Sequence, residues 1–155
     1  MIRKKSERGQ SLVELAISIT VLVFLLSGAV EFGMMFFQYI QLRDAAQEGA
    51  LYGSLLPADA SGIDARARGA SSSPVNLSIA YSDPVGVKVD IAYFAGSTTT
   101  PKSVSAVCPG DGIKVTLTYK HKVFMPFIAP ITGPYRTLTA SVTDTILNSP
   151  TTGCP

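Results

Sequence analysis

Two acids, Glu14 and Glu31, interrupt an otherwise apolar run from Leu12 to Phe37. At mid-bilayer a carboxylate costs on the order of 2.5–3.5 kcal/mol, and less near an interface. Neither a cleaved export signal nor a simple anchor has a use for Glu14. A helix packed among other helices does, because a partner's charge can neutralise it. At headgroup depth the same acid is harmless, and Glu14 alone leaves both readings open. The two cysteines, Cys108 and Cys154, fall on the side of the chain expected to be exported, where oxidation is permitted. A bridge between them would pin the C-terminal tail and close a loop worth roughly 3–4 kcal/mol. Free or intermolecular thiols are the alternative. With a single histidine beside them they are too few for a structural zinc site. That histidine, His121, stands between Lys120 and Lys122 with no carboxylate nearby in sequence. A general base would want one, so His121 reads as a surface residue. Asp111-Gly112 and Asp83-Pro84 read as turns, and Asp64, Arg66 and Arg68 as a solvated helix face. The sequence has no Gly-rich phosphate loop, H-E-x-x-H or G-x-S-x-G. It points to no enzyme and no cofactor.

The element that must position the two acids is the N-terminal segment. Its charge-free core, Leu15–Val30, is 16 residues, and the extended run Leu12–Phe37 is 26. As helices these measure about 24 and 39 Å, which bracket the ~20 residues that a bilayer span prefers. Arg3, Lys4, Lys5 and Arg8 precede the run, so the N-terminus should stay cytoplasmic and the remainder be exported. Three readings fit: a signal peptide cut after Ala29 in Ser27-Gly28-Ala29, a plain signal anchor, or a leader cut ahead of a helix that is retained.

The whole chain has 155 residues, 46% hydrophobic and 15% charged, with a net charge of +2. Soluble domains average about 25% charged residues. Residues 1–9 carry +3 and the rest −1, so the basic balance belongs to a short tail. Nucleic-acid binding needs a basic face on the folded part, and none is expected here.

The string Arg8-Gly9-Gln10-Ser11-Leu12-Val13-Glu14 resembles the cleavage motif of type IV prepilins. In that resemblance Gly9 precedes the cut, Gln10 becomes the first mature residue, and Glu14 becomes the fifth, where pilins and pseudopilins carry a glutamate. Gln10 departs from the phenylalanine common in type IVa pilins. The longer run is similar to the TadE-like family, pseudopilins of the Tad (tight adherence, Flp pilus) machinery. The matching pieces are Arg8-Gly9-Gln10, Val13-Glu14 before the apolar block, the step from Gly28 through Glu31 to Gly33, and AAQEGALYG at Ala45–Gly53. Leu51 stands where the family usually has arginine.

The resemblance implies a leader over 1–9, a transmembrane stalk helix over 10–56 and an extracytoplasmic head over 57–155. It implies a single-pass protein of the bacterial inner membrane, with its C-terminus outside, that can enter a surface pilus. It implies a prepilin peptidase, other pilin or pseudopilin subunits, the Tad assembly machinery and membrane lipid as partners. Cutting after Gly9 would free an α-amine at Gln10 for the Glu14 of a neighbour. It would also remove the leader's +3, which is costly to bury unpaired in a filament core. A membrane-anchored binding domain that never polymerises is the alternative.

Past the apolar run, Gln38–Ala50 keeps helical spacing through Tyr39, Leu42, Ala46 and Ala50, so one helix is expected over Gln10–Ser54, ended by Pro57. Glu31, Gly33, Ala45, Gly49 and Gly53 are its expected packing positions. The small ones would admit a neighbouring backbone, or the glycines merely loosen the helix end. Asp59 or Ser61 could cap a short helix through Ile63 and Ala67. The period then changes to two. Strands are expected at Val75–Tyr81, Val85–Phe94, Gly112–Lys122 and Tyr135–Leu147, with Gly96–Ser103 an exposed loop. Four one-faced strands after one long helix predict an α+β, pilin-like fold: a long N-terminal helix packed on a small antiparallel sheet. Val123–Pro134, VFMPFIAPITGP, is too proline-rich for a strand. It reads as an apolar connection that lies on the outer leaflet or a neighbour, or as a loop tucked onto the core.

Overall fold

The computed structural model describes residues 8–125, 129–148 and 154. Most of the expected leader, residues 1–7, and the middle of the Val123–Pro134 connection lie outside the described residues.

Helix α1 runs Arg8–Leu55, 48 residues, or about 72 Å. Proline is absent from it, and it stops where Pro57 denies helical geometry to Leu56. Its two halves live in different surroundings. The large apolar side chains from Leu12 to Leu26 are 47–68% exposed. From Glu31 onward a stripe comprising Glu31, Gln38, Leu42, Ala45, Ala46, Ala50 and Ser54 is buried, at the spacing of one helix face. Helix α2, Ala60–Gly69, lies against that second half and buries Ile63 and Ala67. Asp59 caps it: Oδ1 accepts from Gly62 N at 2.9 Å, and Oδ2 accepts from the Tyr52 hydroxyl of α1 at 2.9 Å.

The sheet has four antiparallel strands in the order β2-β1-β3-β4: β1 Val87–Phe94, β2 Pro101–Lys102, β3 Gly112–Lys122 and β4 Tyr135–Thr145. β3 is central and pairs with β4 from Gly112↔Thr145 to Lys122↔Tyr135. Val87, Ile113, Val115, Leu117 and Ala140 face the helices and close the core with Leu42 and Ile63. Each fully buried Leu or Ile contributes roughly 1.5–3 kcal/mol. Gly49 and Gly53 permit this approach. A methyl on Gly49 would sit 3.1 Å from the Ala67 Cβ, and one on Gly53 would overlap the Ile113 δ-methyl. The α+β architecture of a long apolar helix and a four-stranded antiparallel sheet is thus as expected.

Val75–Tyr81 is not a strand. Side chains take much of its backbone instead, although Val87 N at the start of β1 donates to Ile79 O at 3.0 Å. Gln41 takes the Val75 N–H and donates to its carbonyl, at 2.9 and 2.8 Å. Asn76 Oδ1 accepts from the Ser78 backbone N–H and hydroxyl, and Arg68 Nη1 donates to the carbonyls of Leu77 and Ile79 at 3.0 and 3.3 Å. Arg68 is therefore a strut rather than part of a solvated face. Gly96–Ser103 contains the short edge strand β2. The last strand stops at Thr145 because Ile146 and Leu147 turn to other partners: Ile146 N donates to Asp111 O, and Leu147 N to Ser54 O at the end of α1.

Candidate functional site

β3 alternates Ile113, Val115, Leu117 and Tyr119 toward the helix, and His121 is next in that register. It is fully buried, which corrects the expectation of a surface histidine. Its Nε2 lies 2.7 Å from Glu31 Oε1, and its Nδ1 lies 2.7 Å from Gln38 Oε1. Glu31 and Gln38 are seven residues apart and so share one helix face. The ring thus bridges the Glu31 carboxyl and the Gln38 side-chain amide, with a hydrogen bond at each of its nitrogens. Glu31 Oε1 also accepts from Phe124 N at 3.2 Å, while Oε2, equally buried, has no hydrogen-bond partner among the described residues. Glu31 is 2% exposed. The lysines flanking His121 point elsewhere: Lys120 pairs with Asp83 and Lys122 is exposed. Alternation along the strand could have revealed the histidine; its two cationic neighbours concealed it.

This buried cluster joins the sheet to α1 where the covered half of the helix begins. Below it, the residues from Gln10 through Val30 are 21 in number and span about 31 Å, the thickness of a hydrocarbon core. Helix α1 is long and apolar enough to cross a membrane.

At the start of the helix, Gly9, Gln10 and Glu14 are all exposed. Gln10 and Glu14 are one turn apart on a face that they share with Val13 and Ile17. Gly33 meets open space, whereas Ala45, Gly49 and Gly53 lie in the head's own packing.

The far end of the sheet is held by Asp111. Its Oδ2 accepts from Lys102 Nζ at 2.6 Å and from Cys108 N at 2.8 Å, and Oδ1 accepts from Gly96 N at 2.8 Å. This is more than turn chemistry: one carboxylate ties β2, the β1–β2 connection and the segment leading into β3. Cys108 and Cys154 form a disulfide with an S–S distance of 2.06 Å. The Lys102 hydrogen bond first, then the Cys108 and Gly96 amides, lower the Asp111 carboxyl from 3.8 to about 2. A depressed folded-state pKa adds stability above the unfolded value, and that stability is lost as pH falls through the folded one. Wild-type protein should therefore lose on the order of 2 kcal/mol between about pH 4 and pH 2 from this group. Asp111→Asn should lack that component in thermal melts run across the same interval. Among the described residues, no group of three His, Cys, Asp or Glu side chains is placed to hold a metal ion.

A membrane-length helix whose second half carries an antiparallel sheet, locked by a buried acid–histidine pair, defines a helix-anchored α+β protein. The model of the family described as TadE-like protein matches residues 9–51, so this segment is similar to that family. No curated protein and no solved structure matches it. The matched span begins at Gly9, includes Glu14 and Glu31, and ends within α1, short of the sheet.

Proposed function

We propose that the chain is a minor pilin or pseudopilin of a Tad pilus, inserted in the inner membrane with its N-terminus inside and cut by a prepilin peptidase between Gly9 and Gln10. Residues 10–56 then serve as transmembrane stalk and 57–155 as extracytoplasmic head. The observation that carries this reading is the family match that starts at Gly9 on a helix whose first half leaves its apolar side chains exposed. In the membrane lipid covers that half, and in a filament the stalks of other subunits would. Removing the leader frees an amine at Gln10, and Glu14, one turn further on, is the acid available to a neighbour's amine. Adhesion or secretion would be a property of the assembly, and the chain itself has no catalytic role.

The N-terminal residue of protein purified from native membranes tests this directly. Gln10 is the expected result. Met1 would indicate an uncut anchor carrying a binding domain that never polymerises, and Val30 a secreted protein. In the same cells, Glu14→Ala should insert normally, with filament incorporation reduced to background when sheared pili are immunoblotted. Filaments containing the variant at wild-type levels would sink the role of Glu14.

A further inference from the structure

The end of the head nearest the stalk carries a distinctive surface. β3 leaves the sheet at Lys122 and β4 enters it at Tyr135, opposite Lys122 in the register. Lys122, Tyr135 and Arg136 are exposed there, and neither cation makes an ion pair with a described residue. Val123 turns inward, but Phe124 is 66% exposed although its backbone N–H is fixed to Glu31. The connection continues with Met125 and a sequence almost wholly of apolar residues and proline up to Pro134. Phe124 is thus anchored at the level of Glu31, where the membrane-length segment of α1 ends, and Phe32, Phe36 and Phe37 of α1 are exposed just above. Exposed aromatic side chains with unpaired cations around them match the boundary of a bilayer: rings sit at headgroup depth, and Lys and Arg meet lipid phosphates. The apolar surface is continuous with that of the spanning helix, which sets its occupant apart from a soluble partner.

We infer that the foot of the head, built from Phe124, Tyr135, Lys122 and Arg136, docks on the outer surface of the membrane and selects anionic phospholipid headgroups. This rests on residues 10–30 being the membrane span. Docking fixes the head's height and orientation on the bilayer while the subunit awaits assembly, and extraction must break it.

The chain has no tryptophan, so single tryptophans report depth cleanly. Full-length Phe124→Trp, Leu147→Trp at the far end of the sheet, and Leu22→Trp in the span would be reconstituted in vesicles. These would contain phosphatidylcholine alone or mixed with phosphatidylglycerol, with bromines at shallow or deep acyl positions. Leu22→Trp should be quenched best by deep bromines, Phe124→Trp best by shallow ones, and Leu147→Trp by neither. Lys122→Glu or Arg136→Glu in the Phe124→Trp background should shift the docked-to-undocked ratio roughly fivefold each in the anionic vesicles. Met125→Trp is the second reporter if Phe124→Trp does not melt like wild type. Deep quenching at Leu22→Trp with none at either foot reporter overturns the docking while leaving the span intact. Loss of the Leu22→Trp signal overturns the span itself. A foot reporter shielded from bromine only at high protein density would assign the surface to a second copy, and quenching indifferent to lipid charge would overturn the headgroup preference.

Discussion

Glu31→Ala is expected to destabilise the head by about 2–5 kcal/mol, the cost of orphaning two hydrogen-bond donors in and beside a buried site. The substitution strips His121 of the acceptor on Nε2 and Phe124 N of its acceptor at once. It leaves a charged or unsatisfied ring in a site with no access to water. Thermal unfolding in micelles, followed by near-ultraviolet circular dichroism of the tyrosines, measures the loss. Glu31→Gln separates charge from hydrogen bonding: it keeps an oxygen for the ring and should cost clearly less than alanine. The double variant Glu31→Leu/His121→Leu should recover most of the loss, because two apolar side chains need no partners. If the double variant is as unstable as the sum of the singles, the pair is not coupled and the joint has been misread.

Breaking the Cys108–Cys154 disulfide should have a comparable effect. The two residues are 46 apart in sequence, and releasing a loop of that size returns roughly 3–4 kcal/mol of chain entropy to the unfolded state. The site magnifies the effect, because Cys108 N also donates to Asp111. A loosened segment would disturb the same carboxylate that holds Lys102 and Gly96. Cys108→Ser/Cys154→Ser should lower the urea midpoint with little change in slope, and reductant should reproduce this in wild type. Alkylation of unreduced protein purified from native membranes should modify neither sulfur. Ready modification there would mean the cysteines serve as thiols.

Most of the fold could be read from residue pattern. α1 was legible because no proline interrupts it for 48 residues and its apolar character never lapses. β1, β3 and β4 were legible because their inward residues alternate strictly. The misread segment, Val75–Tyr81, alternates equally well. Alternation marked Val75 and Leu77, which are buried, and equally Ile79 and Tyr81, which are exposed, and it does not report what bonds the backbone. There Gln41 and Arg68, from helices that local pattern cannot connect to it, and Asn76 within it take most of the place of a neighbouring strand. The stalk's candidate residues Gly9, Gln10 and Glu14 were marked by the resemblance to prepilins, and the fold leaves all three exposed. The acid–histidine joint was half legible: Glu31 was marked for packing, but its partner was judged by adjacent lysines rather than by its place in the strand. Asp111 looked like an ordinary turn residue because Gly96 and Lys102, its donors, approach only after the sheet has formed.

The joint between Glu31 and His121 also imposes an order in time. The two residues are separated by 90 positions, and ribosomes add about 5–20 residues per second. For roughly 5–20 seconds after Glu31 is made, its partner does not yet exist. On the proposed membrane reading, the stalk would therefore enter the bilayer as a separate helix, with an acid waiting at its outer end. The head can lock onto it only once the third strand has been synthesised. Covalent closure comes later still, because Cys154 follows His121 along the chain. Anchoring, docking of the sheet and sealing of the tail are thus successive events, set by the positions of three residues along the chain.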